Sequence, residues 1–220
     1  MDIVNHTDHS VLPAVARRWS PHRFLDRAVE EDTLLRCLEA ARWASSSYND
    51  QPWFWIVSQK TDKSFPRMLR CLLEPNRTWA ASSPVLMLSV LRTNLHHNGQ
   101  PNPVALHDLG QASAYLSLQA CDVGLQVHQM GGINRSATRL AFQIPDGFEP
   151  CTITAIGYPD VSELKASSGD EYGRRQIASR RRKDLHTCVF TNQWGEPAIF
   201  LPDRTNPDAP KINTPSTHQR

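Results

Sequence analysis

No uninterrupted apolar run in this sequence approaches the roughly 18 residues that a membrane-crossing helix needs, so no membrane span is expected. Residues 1–9, Met-Asp-Ile-Val-Asn-His-Thr-Asp-His, lack the basic and apolar regions of a secretory leader and read as a polar leader. An excess of one charge is also missing. The 24 Lys and Arg face 22 Asp and Glu, and a net charge of +2 singles out no partner. Cys37, Cys71, Cys121, Cys151 and Cys188 are odd in number, widely spaced and without a Cys-x-x-Cys. That pattern speaks against a disulfide framework and for reduced thiols in a cytoplasmic protein. His6 and His9 are three apart but have no third ligand nearby, so no metal site is expected. Missing too are a Gly-x-Ser-x-Gly elbow, a Walker loop, a Gly-x-Gly-x-x-Gly after a strand and a His-Glu-x-x-His. Ser, His and Asp are plentiful, but no spacing marks a hydrolytic triad. No internal repeat is present.

What is there fits one domain or a tight two-lobe unit: 220 residues, 40% of them hydrophobic. The domain is placed at 10–201. The tail from Pro202 to Arg220 holds Pro202, Pro207, Pro210 and Pro215 among polar residues and is too broken to form a core. Ser10 is expected to cap a short helix running to Arg18. Glu30, Glu31 and Asp32 favour a helix start through the helix dipole. Leu34, Cys37, Leu38 and Ala41 continue it at i, i+3, i+4 and i+7. Trp53–Ser58 reads as a strand, 63–73 as a helix, and 76–83 as a link or helix end. Pro84–Leu91 reads as a buried strand and 96–103 as a loop. Residues 104–123, apolar on several sides, form the longest helix, ended by Gly124, and hint at an interface as well as a core. A short strand at 125–130, a helix at 135–142 and a strand at 151–157 follow. Val189–Trp194 is the candidate for a last strand.

The chemistry-bearing stretches are few. Between the helix ending near Arg42 and the strand at Trp53 lies a polar elbow, Ser45-Ser46-Ser47-Tyr48-Asn49-Asp50-Gln51. Its hydroxyl and carboxamide groups both donate and accept, which suits a flat polar ligand such as a flavin or a base better than a metal. On its own, such an elbow is also ordinary turn chemistry. Arg18-x-Ser20-x-His22, if extended, aims a guanidinium, a hydroxyl and an imidazole to one side. Arg180-x-Arg182 repeats the alternation within the basic run 174–183. Guanidinium forks match phosphate oxygens in charge and geometry. The run alone reads first as a solvated segment; a non-catalytic nucleotide- or nucleic-acid-binding module is the other reading, weakened by the lack of an RNA-binding aromatic motif and by the near-neutral net charge.

These stretches together resemble the FMN-dependent nitroreductase family. The carriers are Ala-Arg-Trp-Ala-Ser-Ser-Ser-Tyr-Asn-Asp-Gln-Pro-Trp at 41–53, with Ser45 where the family usually has Pro; Arg18-x-Ser20; Arg180-x-Arg182; the later Trp-Gly-Glu-Pro; and Gly124 to Gly132. The resemblance covers about residues 15 to 198. It implies an α+β fold, a central and mainly antiparallel sheet flanked by helices, in an interlocked homodimer. It implies FMN as cofactor, NAD(P)H as reductant, and ping-pong hydride transfer through flavin N5 to nitroaromatic, quinone or similar small acceptors. Nucleic acid and membrane are not expected partners. The implied phosphate contacts are Arg18, Ser20, Arg180 and Arg182, with His22 in place of a second cation and Arg23 beside it. Asn76 is expected near the flavin pyrimidine; some relatives carry Lys where this chain has Trp79. Gln129, Met130, Gly131 and Gly132 would lie along the flavin ring, the missing side chain at Gly131 allowing close approach. Ser46, Ser47, Asn49 and Gln51 complete the implied contacts, the elbow reaching FMN from the other subunit. His107-Asp108-x-Gly110-x-Ala112 resembles the start of the family's interface helix. No residue is assigned an acid–base role.

Overall fold

The computed structural model describes residues 4–162 and 180–202. Residues 163–179 and 203–220, with Arg174, Arg175 and most of the expected tail, lie outside the described residues. Helices α1 (Pro13–Arg17) and α2 (Glu31–Arg42) precede strand β1 (Trp53–Gln59). Helices α3 (Phe65–Cys71) and α4 (Glu74–Ala80) lead to β2 (Val85–Arg92), and then come α5 (Ala105–Asp122) and β3 (Gln126–Met130). Helix α6 (Arg135–Phe142) and β4 (Phe148–Gly157) complete the set. The four strands form one sheet in the order β1-β2-β4-β3, every neighbour antiparallel. This is the α+β architecture expected from the sequence.

Strand β2 shows why a continuous apolar run marks the centre of the sheet. Its side chains alternate between two separate cores. Val85, Met87 and Leu91 pack with Leu34, Cys37, Leu109, Ala112 and Leu116 of α2 and α5. Leu86, Leu88 and Val90 pack on the opposite face with Met68, Leu72, Trp79 and Ile153. Helix α5 buries Leu109, Ala112, Leu116 and Ala120 at helical spacing and ends before Gly124, whose φ of +84° closes the turn into β3.

Of the two readings of 76–83, link or helix end, the helix end holds: α4 spans Glu74–Ala80, because Pro75 sits in its first turn, where a missing N–H costs nothing. Two expectations fail. Ser10 caps nothing: α1 begins at Pro13 with Leu12 as N-cap and no side-chain cap. Val189–Trp194 is no strand. Residues 185–187 form a single 3-10 turn, followed by an isolated bridge between Phe190 and Pro197. Strand β4 also begins three residues early. A register shift opposite Ser89/Val90 lets Pro150 enter the sheet.

Candidate functional site

The segment after α1 is a strap along the edge strand β3. Gln126 Oε1 accepts from the Trp19 amide at 3.0 Å, and Gln126 Nε2 donates to the Arg17 carbonyl at 3.3 Å. Farther along, His128 Nδ1 lies 2.8 Å from the Pro21 carbonyl. A carbonyl only accepts, so Nδ1 of His128 carries the proton. Trp19 and Pro21 are buried, which turns Arg18 and Ser20 outward on the same side, 3.4 Å apart at Nη1 and Oγ.

Beyond the strap lies a cationic corner. Arg180 places its guanidinium 5.4 Å over the Trp19 ring and donates from Nε to Asn5 Oδ1 at 2.8 Å. Asn5 in turn donates from Nδ2 to the Arg18 carbonyl at 2.8 Å. Arg18, Arg180 and Arg182 share a cavity of about 180 Å³ with Asn5, His6, Thr7 and Val15. Burial and the Arg182 charge hold Arg18 below its ordinary pKa. Burial, Arg18 and Arg182 do the same to Arg180. Three guanidiniums that repel one another around one small cavity suit an anion with several oxygens.

His22 follows a different course. Its ring lies 5.0 Å from Trp79 and 4.7 Å from His128, edge-on to both. Burial pushes the pKa of His128 down, the bond to Pro21 opposes that, and Arg18 adds to it. A depressed imidazole resists the proton that the unfolded chain accepts. Its contribution is therefore complete above the ordinary histidine range and is lost as pH falls through that range. The strap should loosen on acidification: hydrogen-exchange protection of the Trp19 amide is expected to drop below about pH 6.5. His128→Gln should flatten the profile. A flat wild-type profile would contradict this.

At the far end of β3 is the glycine turn. Gly131 and Gly132 direct their carbonyls to the amides of Ile133 and Leu73, at 3.0 and 2.9 Å. A Cβ on Gly132 would stand 2.9 Å from Asn76 Nδ2, so the missing side chain lets the Asn76 carboxamide close onto the turn. Gln129 points to α5, donating to Ser117 Oγ at 3.1 Å. The Met130 side chain is buried in the core, which leaves only its backbone for a ligand.

The elbow is strained and clamped. Tyr48, Asn49 and Gln51 have φ of 54°, 53° and 47°, a region non-glycine residues seldom adopt. The buried Asp108 carboxylate, at the start of α5, accepts from the Ser47 amide at 3.0 Å. Asp50 accepts from Arg92 Nη2 at 3.0 Å and from the His96 amide at 2.7 Å. Ser46 Oγ accepts from the Gln51 amide at 3.0 Å, and Gln51 Nε2 donates to the Asn49 carbonyl.

The expected residues thus fall into three groups. Arg18, Ser20, Arg180 and Arg182 come together at one end of β3, and Asn76 meets Gly132 at the other. Ser46, Ser47, Asn49 and Gln51 stand apart, before β1 on the opposite sheet edge. Asn5, Asp50 and Asp108 are not among the expected contacts, although Asp50 lies within the elbow. Asn5 belongs to no motif. Asp108 stands in the helix start His107-Asp108-x-Gly110, which hides its contact to the elbow. Among the described residues no group of His, Cys, Asp and Glu could hold a metal, and no helix is long and apolar enough to cross a membrane.

Comparison with known proteins bears on this arrangement. Residues 15–158 match the model of the nitroreductase family. A crystal structure described as an oxidoreductase containing FMN is 31% identical, covers 87% of this chain and 96% of its own, and superposes with a TM-score of 0.80. A nitroreductase family protein of Clostridium difficile, 22% identical, shares the fold at a TM-score of 0.63, over 82% of this chain and 96% of its own. A protein of Methanothermobacter thermautotrophicus, assigned by name to the NADH dehydrogenase/NAD(P)H nitroreductases, is 26% identical over 68% of this chain and 77% of its own. An uncharacterised 15.4 kDa protein of Mycolicibacterium smegmatis is 34% identical over 41% of this chain, a match that spans 58% of that relative. The family match runs from the cationic strap through the elbow and the glycine turn to the end of β4, and the chain belongs to the nitroreductase family.

Proposed function

We propose that this protein is a homodimeric FMN oxidoreductase that passes hydride, in ping-pong order, from NAD(P)H to a nitroaromatic, quinone or similar small acceptor. The observation that carries this reading is the guanidinium cluster of Arg18, Arg180 and Arg182 at one end of β3, with the Gly131–Gly132 turn at the other. Five strand residues separate them, about 16 Å. That spacing suits a ligand with a phosphate at one end and a flat ring at the other. FMN, when bound, supplies the hydride-transfer chemistry at its ring. The chain supplies the rest. Arg18, Arg180 and Arg182 neutralise a phosphate, with Ser20 Oγ as a further donor. Asn76 offers its carboxamide beside the glycine turn, where a ring edge can be read by paired donors and acceptors.

The elbow serves the neighbouring subunit on this reading. Within one chain, three interstrand steps of the sheet separate β1 from β3, about 14 Å, too far for the elbow to close over the glycine turn. Helix α5 exposes Leu106, Gly110 and Ala114 at i, i+4 and i+8. Small residues in such a row let a second helix come close.

Purified protein should be yellow, should sediment at about twice the 24.8 kDa chain mass, and should lose its flavin colour anaerobically on adding NADH or NADPH. A colourless protein that takes up no FMN, particularly one retaining nucleic acid through the 180–183 cations, would overturn the reading. A yellow monomer would remove the exchanged elbow.

A further inference from the structure

Tyr48 is an exposed aromatic residue on the strained backbone of the elbow. In the single chain Tyr48 is 81% exposed although its φ of 54° places it in the left-handed region. Asn49 and Gln51 share that region, so three of four consecutive residues hold a conformation that surrounding structure must enforce. The enforcing contacts are those of Asp108 to the Ser47 amide and of Asp50 to Arg92.

Among the described residues the Tyr48 ring has one aromatic neighbour, His97, with centroids 5.3 Å apart and planes inclined by 48°. The backbone of the loop that carries His97 is held as well. The loop is closed by the Leu95 amide to the Gln100 carbonyl at 2.7 Å and by the Gly99 amide to the Leu95 carbonyl at 2.9 Å. The same Asp50 that ties down the elbow accepts the His96 amide. One buried carboxylate therefore ties the elbow to the loop that carries His97. The inclined planes of the two rings form an open wedge rather than a closed stack.

We propose that Tyr48, supported by His97, is a specificity-determining residue whose exposed ring stacks on flat aromatic acceptors, quinones or nitroaromatics, at the hydride-transfer site. The inference rests on the reading that the elbow borders a flavin. Tyr48 stands between Ser47 and Asn49, the residues that reading assigns to the flavin edge. A rigid phenol ring favours a planar, electron-poor ring by dispersion and by complementary quadrupoles. It gives nothing comparable to a hydrated inorganic oxidant. The wedge thus favours aromatic acceptors without taking part in hydride transfer.

The test is single-turnover reoxidation of the NADH-reduced holoenzyme, with 1,4-naphthoquinone and with ferricyanide, in Tyr48→Ala, Tyr48→Phe and His97→Ala. FMN affinity and dimer mass serve as controls. In Tyr48→Ala the apparent affinity for naphthoquinone is expected to weaken about two- to tenfold, with ferricyanide reoxidation and both controls unchanged. Tyr48→Phe, which keeps the ring, should behave as wild type, and His97→Ala should show a smaller loss of the same kind. Equal losses toward both acceptors, no loss toward either, or a Tyr48→Ala protein that sediments as a monomer would overturn the proposal, the last by making the ring an interface residue. A wild-type chain that binds no FMN would sink the parent reading instead, and this inference with it.

Discussion

Asp50→Ala is expected to cost about 3–5 kcal/mol of folding stability, the range for removing one partner of a buried ion pair. The Asp50 side chain is 2% exposed and that of Arg92 17%. Arg92 also donates to the Asp50 main-chain carbonyl, while its Nε is buried without a partner. Alanine would leave that guanidinium with no counter-charge and would orphan the His96 amide. Burial alone would push the Asp50 carboxyl up, but the His96 amide and Arg92 outweigh it and hold the pKa below its ordinary value. A depressed carboxylate stabilises fully above its unfolded pKa and loses that contribution as pH falls through the folded one. Wild type should therefore lose stability on acidification into the carboxylate range, and Asp50→Ala should lose less of what remains. The melting temperature should fall by about 6–20 °C at neutral pH, taking about 2–4 °C per kcal/mol for a domain of this size. Glu39 is the control. Its pKa is lowered to about 2 by Arg42 and Trp43, yet it lies in water. Screening makes exposed pairs nearly worthless, so Glu39→Ala should melt close to wild type. An Asp50→Ala melt within about a degree of Glu39→Ala would refute the clamp.

That clamp also shows where sequence reasoning reached and where it stopped. The elbow was legible, because Ser-Ser-Tyr-Asn between a helix end and a Trp-rich strand is a local pattern. So was β2, since a short apolar run bounded by turn residues fits a strand buried on both faces. Helix α4 was legible only at its end, since the reading of 76–83 left link and helix end open and its start at Glu74 carries a proline in the first turn. Val189–Trp194 failed in the opposite direction. Its strand-like composition had no neighbour to pair with among the described residues except Pro197. The partners of the elbow were beyond reach. Asp108 lies 61 residues from Ser47, and Arg92 lies 42 from Asp50. Nothing local to either aspartate records those meetings. His22 illustrates a subtler limit. Alternation aligned it with Arg18 and Ser20, and only the fold brings Trp79 and His128 against its ring.

The cationic corner makes the second large prediction, because its arginines should act on ligand and fold with opposite signs. Arg18→Ala is expected to weaken FMN binding by about 3 kcal/mol, roughly 150-fold, the upper end for a charge-assisted hydrogen bond. Arg18 is partly buried beside Ser20, and its charge is less screened. Arg182 is exposed, with Nη1 donating to the Arg181 carbonyl at 3.0 Å, so Arg182→Ala belongs near about 1.5 kcal/mol, roughly tenfold. FMN-free protein should respond differently. Arg182 is one of the charges that depress Arg18 and Arg180, and removing it relieves a repulsion. The Arg182→Ala apoprotein should therefore melt no lower than wild type, even though its flavin is held more weakly. Arg182→Lys keeps the charge but loses the planar fork and should fall between. Salt provides a further check. Wild-type FMN affinity should decline as ionic strength rises, and the decline should be shallower once a guanidinium is gone. FMN titrations of apoprotein in low and high salt, with melts of the same samples, separate these effects. Unchanged FMN affinity in both alanine variants would remove the corner from the flavin site. Lower apoprotein stability with unchanged affinity would make these arginines structural cations.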